Sequence, residues 1–178
     1  EVLPLAEALR GVADRFTFNR LSQVGEGAAL ALPTQVEFAA FLKRYTIASK
    51  TNNALGFKDN LFNILRDHYR RPLTRGCTGH GCGAAFNFVA LLPDGEVHAC
   101  RKFPSPIGNI RDASFDALWG SRGARCYREG SRACRGCRLR NVCGGCPAVT
   151  FGAGLHPQND RDPHCFMESR ADLLREFA

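Results

Sequence analysis

The chain has 178 residues, a formal net charge of +7 and nine cysteines. That length admits one domain, or one small domain plus part of another. No apolar run reaches membrane-spanning length, and Glu1-Val2-Leu3-Pro4 has neither the basic nor the apolar segment of a secretory leader. An odd, clustered set of cysteines argues for metal ligation in a reducing cytoplasm rather than for a set of disulfides.

The first third carries no cysteine and reads as alternating helix and strand. Leu3, Leu5, Ala6, Leu9 and Val12 fit a short amphipathic helix. Phe16 to Leu21 alternates apolar and polar residues, which predicts a strand. Gly25-Glu26-Gly27 interrupts it. Pro33 and the capping box Thr34-x-x-Glu37 then open a helix running to about Lys50. A further helix is expected from Lys58 to about His68, with Leu61, Ile64 and Leu65 on one face. This order suits one unit of a parallel α/β layer. One such unit cannot cover both faces of a sheet, so exposed apolar surface is expected here.

Beyond a boundary near residues 69–76 the character changes. Phe86–Leu91 and Glu96–Cys100 flank the turn Pro93-Asp94-Gly95, a hairpin that Cys100 ends. Ser114–Trp119 predicts a short helix. Residues 121–147 are rich in Arg, Gly and Cys and are expected to loop around metal. Leu173, Leu174 and Phe177 recur at helical spacing and predict a closing helix in the tail.

Eight of the nine cysteines form one interleaved pattern. It reads Cys77-x4-Cys82, then Cys82-x12-Gly95-x4-Cys100, then Cys134-x2-Cys137-x5-Cys143-x2-Cys146, and finally Cys165. Four thiolates suit either a [4Fe–4S] cluster or structural zinc. The pairs Cys134/Cys137 and Cys143/Cys146 stand only five residues apart, closer than the two knuckles of a zinc ribbon. Cys146 precedes Pro147, whose fixed φ turns the chain out of its local loop. Interleaving and the Cys-Pro step favour iron–sulfur. Cys126 falls outside the pattern and reads as a packed or surface residue. His80 lies between Cys77 and Cys82, His98 in the hairpin, and His156 and His164 in polar loops, with no role assigned to the last two.

The pattern resembles the SPASM domain, the auxiliary-cluster region that follows the barrel in many radical S-adenosylmethionine (SAM) enzymes. Ile107-Gly108-Asn109-Ile110, Phe115 and Trp119 are similar to the segment linking the two halves of that domain, and the resemblance spans about residues 75–166. One departure is Cys143-x2-Cys146, where three intervening residues are usual. The resemblance implies two auxiliary [4Fe–4S] clusters, the first on Cys77, Cys82, Cys100 and Cys146, the second on Cys134, Cys137, Cys143 and Cys165. It implies an α+β, cysteine-rich domain over residues 71–178, containing the hairpin and the closing helix.

Residues 1–70 resemble the terminal βα piece of a radical SAM partial (β/α) barrel. Phe18–Gly25 and Lys58-Asp59-Asn60-Leu61 are similar to peptide maturases of the selenobiotic type. On that resemblance Asn19, Arg20 and Ser22, at a strand's C-terminal end, face SAM or peptide, with a structural carboxylate as the alternative partner of Arg20. Sulfatase-maturing relatives carry an acidic residue after the cysteine equivalent to Cys100; Arg101 stands here and argues against that reaction.

No three cysteines have the Cys-x3-Cys-x2-Cys spacing of the SAM-cleaving cluster. The resemblance therefore implies a C-terminal enzyme portion. SAM and a third [4Fe–4S] cluster belong to the complete enzyme, whose remaining barrel is in the same parent chain or a separate subunit. Its implied partners are a ribosomal precursor peptide and an electron donor such as flavodoxin or ferredoxin. The alternative is a freestanding zinc-binding or electron-carrying module. The seven arginines of residues 122–140 read as a solvated face offsetting cluster charge, with an acidic-peptide dock as the alternative. Tyr127 is their lone aromatic neighbour, so nucleic acid is not an expected partner, nor is a membrane.

Overall fold

The computed structural model describes residues 1–74 and 81–175; Cys77, His80 and Phe177, singled out above, lie outside the described residues. The architecture is α+β, with a small three-stranded antiparallel sheet and short helices. No helix among the described residues is long and apolar enough to cross a membrane.

In the first third, α1 spans Val2–Ala8 and α2 spans Gln35–Ala48. The capping box opens α2 as expected. Glu37 N–H donates to Thr34 Oγ1 at 3.2 Å, and Thr34 N–H donates to Glu37 Oε2 at 2.7 Å. Phe38, Leu42 and Tyr45 follow helical spacing and are buried. α3 covers Phe62–His68, shorter than the sequence predicts. Asp59 Oδ1 accepts the Leu61 N–H at 2.9 Å, and this side-chain turn holds residues 58–61 out of the helix.

The strand expected over Phe16–Leu21 is reduced to one parallel bridge, Phe16 to Leu55. Phe16 N–H donates to Ala54 O at 2.7 Å, and Gly56 N–H donates to Phe16 O at 2.8 Å. Past Phe16 side-chain contacts replace the ladder. Phe18 packs edge-on against Phe41, Tyr45 and Phe62, with ring centroids 4.9–6.0 Å apart.

The sheet runs β1 (Ala90–Leu91), β2 (Glu96–His98), β3 (Pro106–Asn109). Leu91 faces Val97, and Val97 faces Gly108. The hairpin is present, but its first strand is two residues instead of six, because Phe86 and Asn87 N–H groups fold back onto Gly83 O. The expected linker around Ile107 is the third strand. Gly108 belongs there because an added Cβ would lie 2.3 Å from Leu118.

Residues 121–147 are more regular than their composition implies. They contain α5 (Arg122–Glu129), a 3₁₀ turn over Arg132–Cys134, and the start of α6 (Pro147–Gly152), after α4 (Phe115–Trp119). Ser114, Ser121 and Ser131 each accept a backbone N–H at a helix start. The helix was hidden because its apolar face is short, Ala124 buried with Tyr127 packed beside it, amid three arginines.

The tail helix α7 (Arg170–Arg175) packs on α2 and α3. Leu173, Leu174, Phe166, Leu139 and Cys143 join α2 and α3 in one apolar core. Val97, Ala99, Ile107, Leu118 and Ala124 form a second core behind the sheet. The first core therefore crosses the residue-70 boundary and sets the cysteine loops against α3. Leu5, Val12, Leu30, Val36 and Ile47 of the first third remain exposed.

Candidate metal centre

Local turns build the first cavity. Ser131 starts the 3₁₀ turn that ends in Cys134. Successive backbone bonds follow: Cys137 N–H to Cys134 O at 3.0 Å, Arg140 N–H to Cys137 O at 3.1 Å, Cys143 N–H to Leu139 O at 2.9 Å. Leu139, buried between these turns, anchors them in the core. Cys165 arrives from the far side of the chain, its N–H bonded to Asp162 O at 2.9 Å. Cys134, Cys137, Cys143 and Cys165 all line one cavity of about 480 Å³, walled by Leu61 and Ile64 next to and within α3.

Burial pushes the Cys134, Cys143 and Cys165 thiols up. Backbone N–H groups oppose it at two of them, Gly145 donating to Cys143 and Met167 to Cys165. Arg161 favours the thiolate at Cys134 and Cys165. Donors of this kind stabilise thiolate once a metal replaces the proton.

Long-range contacts build the second cavity, of about 340 Å³. Cys82, Cys100 and Cys146 line it, with Phe18, Asn19 and Arg20 from the first third. Cys100 lies just past β2. Its N–H donates to Ser105 Oγ at 3.0 Å, and the same hydroxyl donates to Cys100 O at 3.0 Å. Ser105 N–H donates to His98 Nδ1 at 2.9 Å, so the His98 ring donates through Nε2 to Glu96 at 2.6 Å. His98 thus faces Ala90 across the hairpin and also braces the Cys100 turn.

Cys146 is the N-cap of α6, and Pro147 is its first residue. The Cys-Pro step therefore marks a helix start. Cys143 faces the first cavity and Cys146 the second. Burial pushes the Cys146 thiol up, against the Arg20 charge and the Val149 N–H. Cys82 also lines a cleft of about 250 Å³ shared with Cys134 and Cys143.

Between the cavities lies a buried network that the cysteine pattern did not reveal. Arg20 donates through Nε to Asp59 at 2.6 Å and through Nη1 and Nη2 to Asp162 at 2.8 Å, with only 4% of its side chain exposed and 2% of that of Asp162. Burial opposes charge on Arg20, but Asp59 and Asp162 outweigh it and hold the guanidinium firmly protonated. Burial likewise opposes charge on Asp162. Arg20 and the His164 and Cys146 N–H groups outweigh that and hold its carboxyl below the usual carboxylate range. His164 donates through Nε2 to Pro33 O at 2.9 Å, and its Nδ1 lies 3.3 Å from Arg20 Nη1. Nδ1 must accept from the guanidinium there, so the ring is neutral. Burial and then Arg20 depress its pKa accordingly.

Of the residues assigned to SAM or peptide, Asn19 and Arg20 line the second cavity, with Arg20 committed to carboxylates. Ser22 is turned elsewhere, its hydroxyl 3.5 Å from Lys102 O. Cys126 lines neither cavity. Four of the seven arginines make structural bonds: Arg125 to Gly120 O, Arg128 to Ala85 O and Trp119 O, Arg138 to Asp67, Arg140 to Glu129 O. The only sequence signal for Asp162 and His164 was their place in a charged run directly before Cys165.

Seven thiols lining two adjoining cavities form a soft donor set of the kind iron–sulfur clusters take. Among the described residues no three His, Cys, Asp or Glu side chains converge on a single-ion site. These features define a cysteine-rich metal-binding module. Residues 82–147 match the family model of SPASM, an iron–sulfur cluster-binding domain. The match begins at Cys82, ends at Pro147 and takes in six of the patterned cysteines. No curated protein and no solved structure matches the chain.

Proposed function

We propose that this chain is the C-terminal portion of a radical SAM/SPASM enzyme that modifies a ribosomal peptide in the cytoplasm, and that it holds two auxiliary [4Fe–4S] clusters. One is assigned to Cys134, Cys137, Cys143 and Cys165. The other is assigned to Cys82, Cys100 and Cys146, together with Cys77. The observation that carries this reading is the separation of the cysteines onto two cavities, Cys143 on one and Cys146 on the other.

When bound, clusters of this type supply one-electron transfer at potentials set by burial and by hydrogen bonds to sulfur. The chain's part is to hold the thiolates, donate Gly145 and Met167 N–H groups to sulfur, and exclude water with α3 and the Phe18 cluster. SAM cleavage is assigned to a part bearing Cys-x3-Cys-x2-Cys, and reducing equivalents to a flavodoxin- or ferredoxin-like donor. The peptide substrate rests on the family resemblance alone.

The deciding experiment is iron, acid-labile sulfide and zinc analysis of anaerobically purified protein. About eight iron and eight sulfide per chain are expected. About two zinc without sulfide would overturn the redox reading and leave a structural module.

A further inference from the structure

Asp162 is not a cysteine and belongs to no motif, yet both cysteine-bearing segments hang on it. Its Oδ2 accepts the Cys146 N–H at 2.8 Å. Its Oδ1 accepts the His164 N–H at 2.9 Å, closing the turn that presents Cys165. Its own carbonyl accepts the Cys165 N–H at 2.9 Å. Arg20 supplies two further donors at 2.8 Å, one to each oxygen. The approach leaves no slack, because a Cβ on Gly145 would lie 2.7 Å from Asp162 Cβ. Asp162 stands on the wall of the first cavity and Arg20 on the wall of the second.

Stability alone does not account for this arrangement. A buried ion pair is often no better than well-packed apolar residues of the same volume. A carboxylate that takes the backbone N–H groups of ligand-bearing turns, and is itself held by a fork of donors, is what orients metal ligands in place.

We infer that Asp162, held by Arg20, is a positioning residue for both cluster sites, fixing Cys146 toward one cavity and Cys165 toward the other through a single side chain. The inference rests on the two-cluster reading. It differs from a general structural role in requiring that one substitution disturb both sites together.

The test compares wild type with Asp162→Asn, Asp162→Glu and Arg20→Lys, each reconstituted anaerobically with ferrous iron and sulfide. Cys137→Ser serves as a one-site control. Readouts are iron retained under chelator, the electron paramagnetic resonance signals of the reduced protein, and the reduction potentials. Asp162→Asn is expected to weaken iron retention at both sites by about 10- to 100-fold and to shift both signals. Cys137→Ser should abolish one signal and leave the other unshifted. An Asp162→Asn protein with both signals and both potentials unchanged, or with only one site disturbed, overturns the inference.

If Asp162→Asn does not fold, Arg20→Lys decides: it keeps the charge but loses the fork. Smaller shifts at both sites are then expected, and none overturns the inference. Wild type that takes up no iron sinks the two-cluster reading instead. The positioning role is then read in metal-free protein from thiol alkylation. Asp162→Asn should speed modification of Cys146 and Cys165 together while Cys126 is unchanged, and unaltered rates at the first two overturn it.

Discussion

The two cavities are built in opposite ways. Three of the four cysteines of the first lie within ten residues, Cys134 to Cys143, on consecutive backbone turns around Leu139. The described cysteines of the second come from a loop before the sheet, the turn after β2 and the start of α6, and the first third contributes Phe18–Arg20 and Lys58–Asn60 to its wall. The first site is thus largely a local structure that one distant residue, Cys165, completes. The second exists only if the first third, the sheet and α6 are all in place. Local turns close at little entropic cost, whereas long-range assembly must be stabilised by packing and by the Arg20 network.

That contrast can be broken most severely at Arg20. Arg20→Met leaves Asp59 and Asp162 buried without their cation, which costs about 3–5 kcal/mol. Urea denaturation of the metal-free protein should show it, and iron in the second cavity should be lost before iron in the first. Equal loss from both sites at this position would erase the distinction between a local and an assembled site.

At the level of ligands, Cys137→Ser should halve the iron content, from about eight to about four per chain, and leave one paramagnetic signal. Cys100→Ser should remove the other signal. Retention of both signals in either variant would refute the partition.

Gly145→Ala is a subtler probe of the shared wall. Gly145 has φ +67° and its Cβ would meet Asp162. A non-glycine residue held in that region costs about 1–3 kcal/mol. Chemical denaturation should register that loss, with the cluster signals of both sites broadened. Thr34→Ala is the contrasting case. Removing the α2 cap should cost about 1 kcal/mol and leave both signals unshifted.

The smallest effect concerns pH. His164 is neutral in the fold with a depressed pKa, so below about 6.5 the unfolded chain binds a proton that the folded chain resists. Stability of the metal-free protein should be full above that pH and decline as pH falls below it. The Asp162 contribution is lost only lower still, as pH falls through its depressed folded value. His164→Asn should flatten the upper part of this profile while the lower part persists.

Much of this molecule was legible in its residues. The capping box Thr34/Glu37 placed α2, the turn Asp94-Gly95 placed the hairpin, and the spacing of Leu173, Leu174 and Phe177 predicted the tail helix that Arg170–Arg175 forms. The cysteine spacings pointed to the iron–sulfur family that residues 82–147 match. These features are local, and local stereochemistry leaves a periodic or spaced trace. Helix α5 was missed because Ala124 and Tyr127 make too short an apolar stripe to stand out in an arginine-rich segment. The strand expected at Phe16–Leu21 shrinks to one bridge because alternation reports which side chains are inward, and here they pack on aromatic rings and carboxylates instead of a neighbouring strand.

Tertiary structure alone decided the rest. That Cys143 and Cys146, three residues apart, open onto different cavities depends on where α6 starts and what packs behind it. That Arg20 reaches Asp162 across more than a hundred residues has no counterpart in any spacing. Hydrogen bonds between distant side chains follow from the packing of whole elements, and the amino-acid sequence records each partner without recording that they meet.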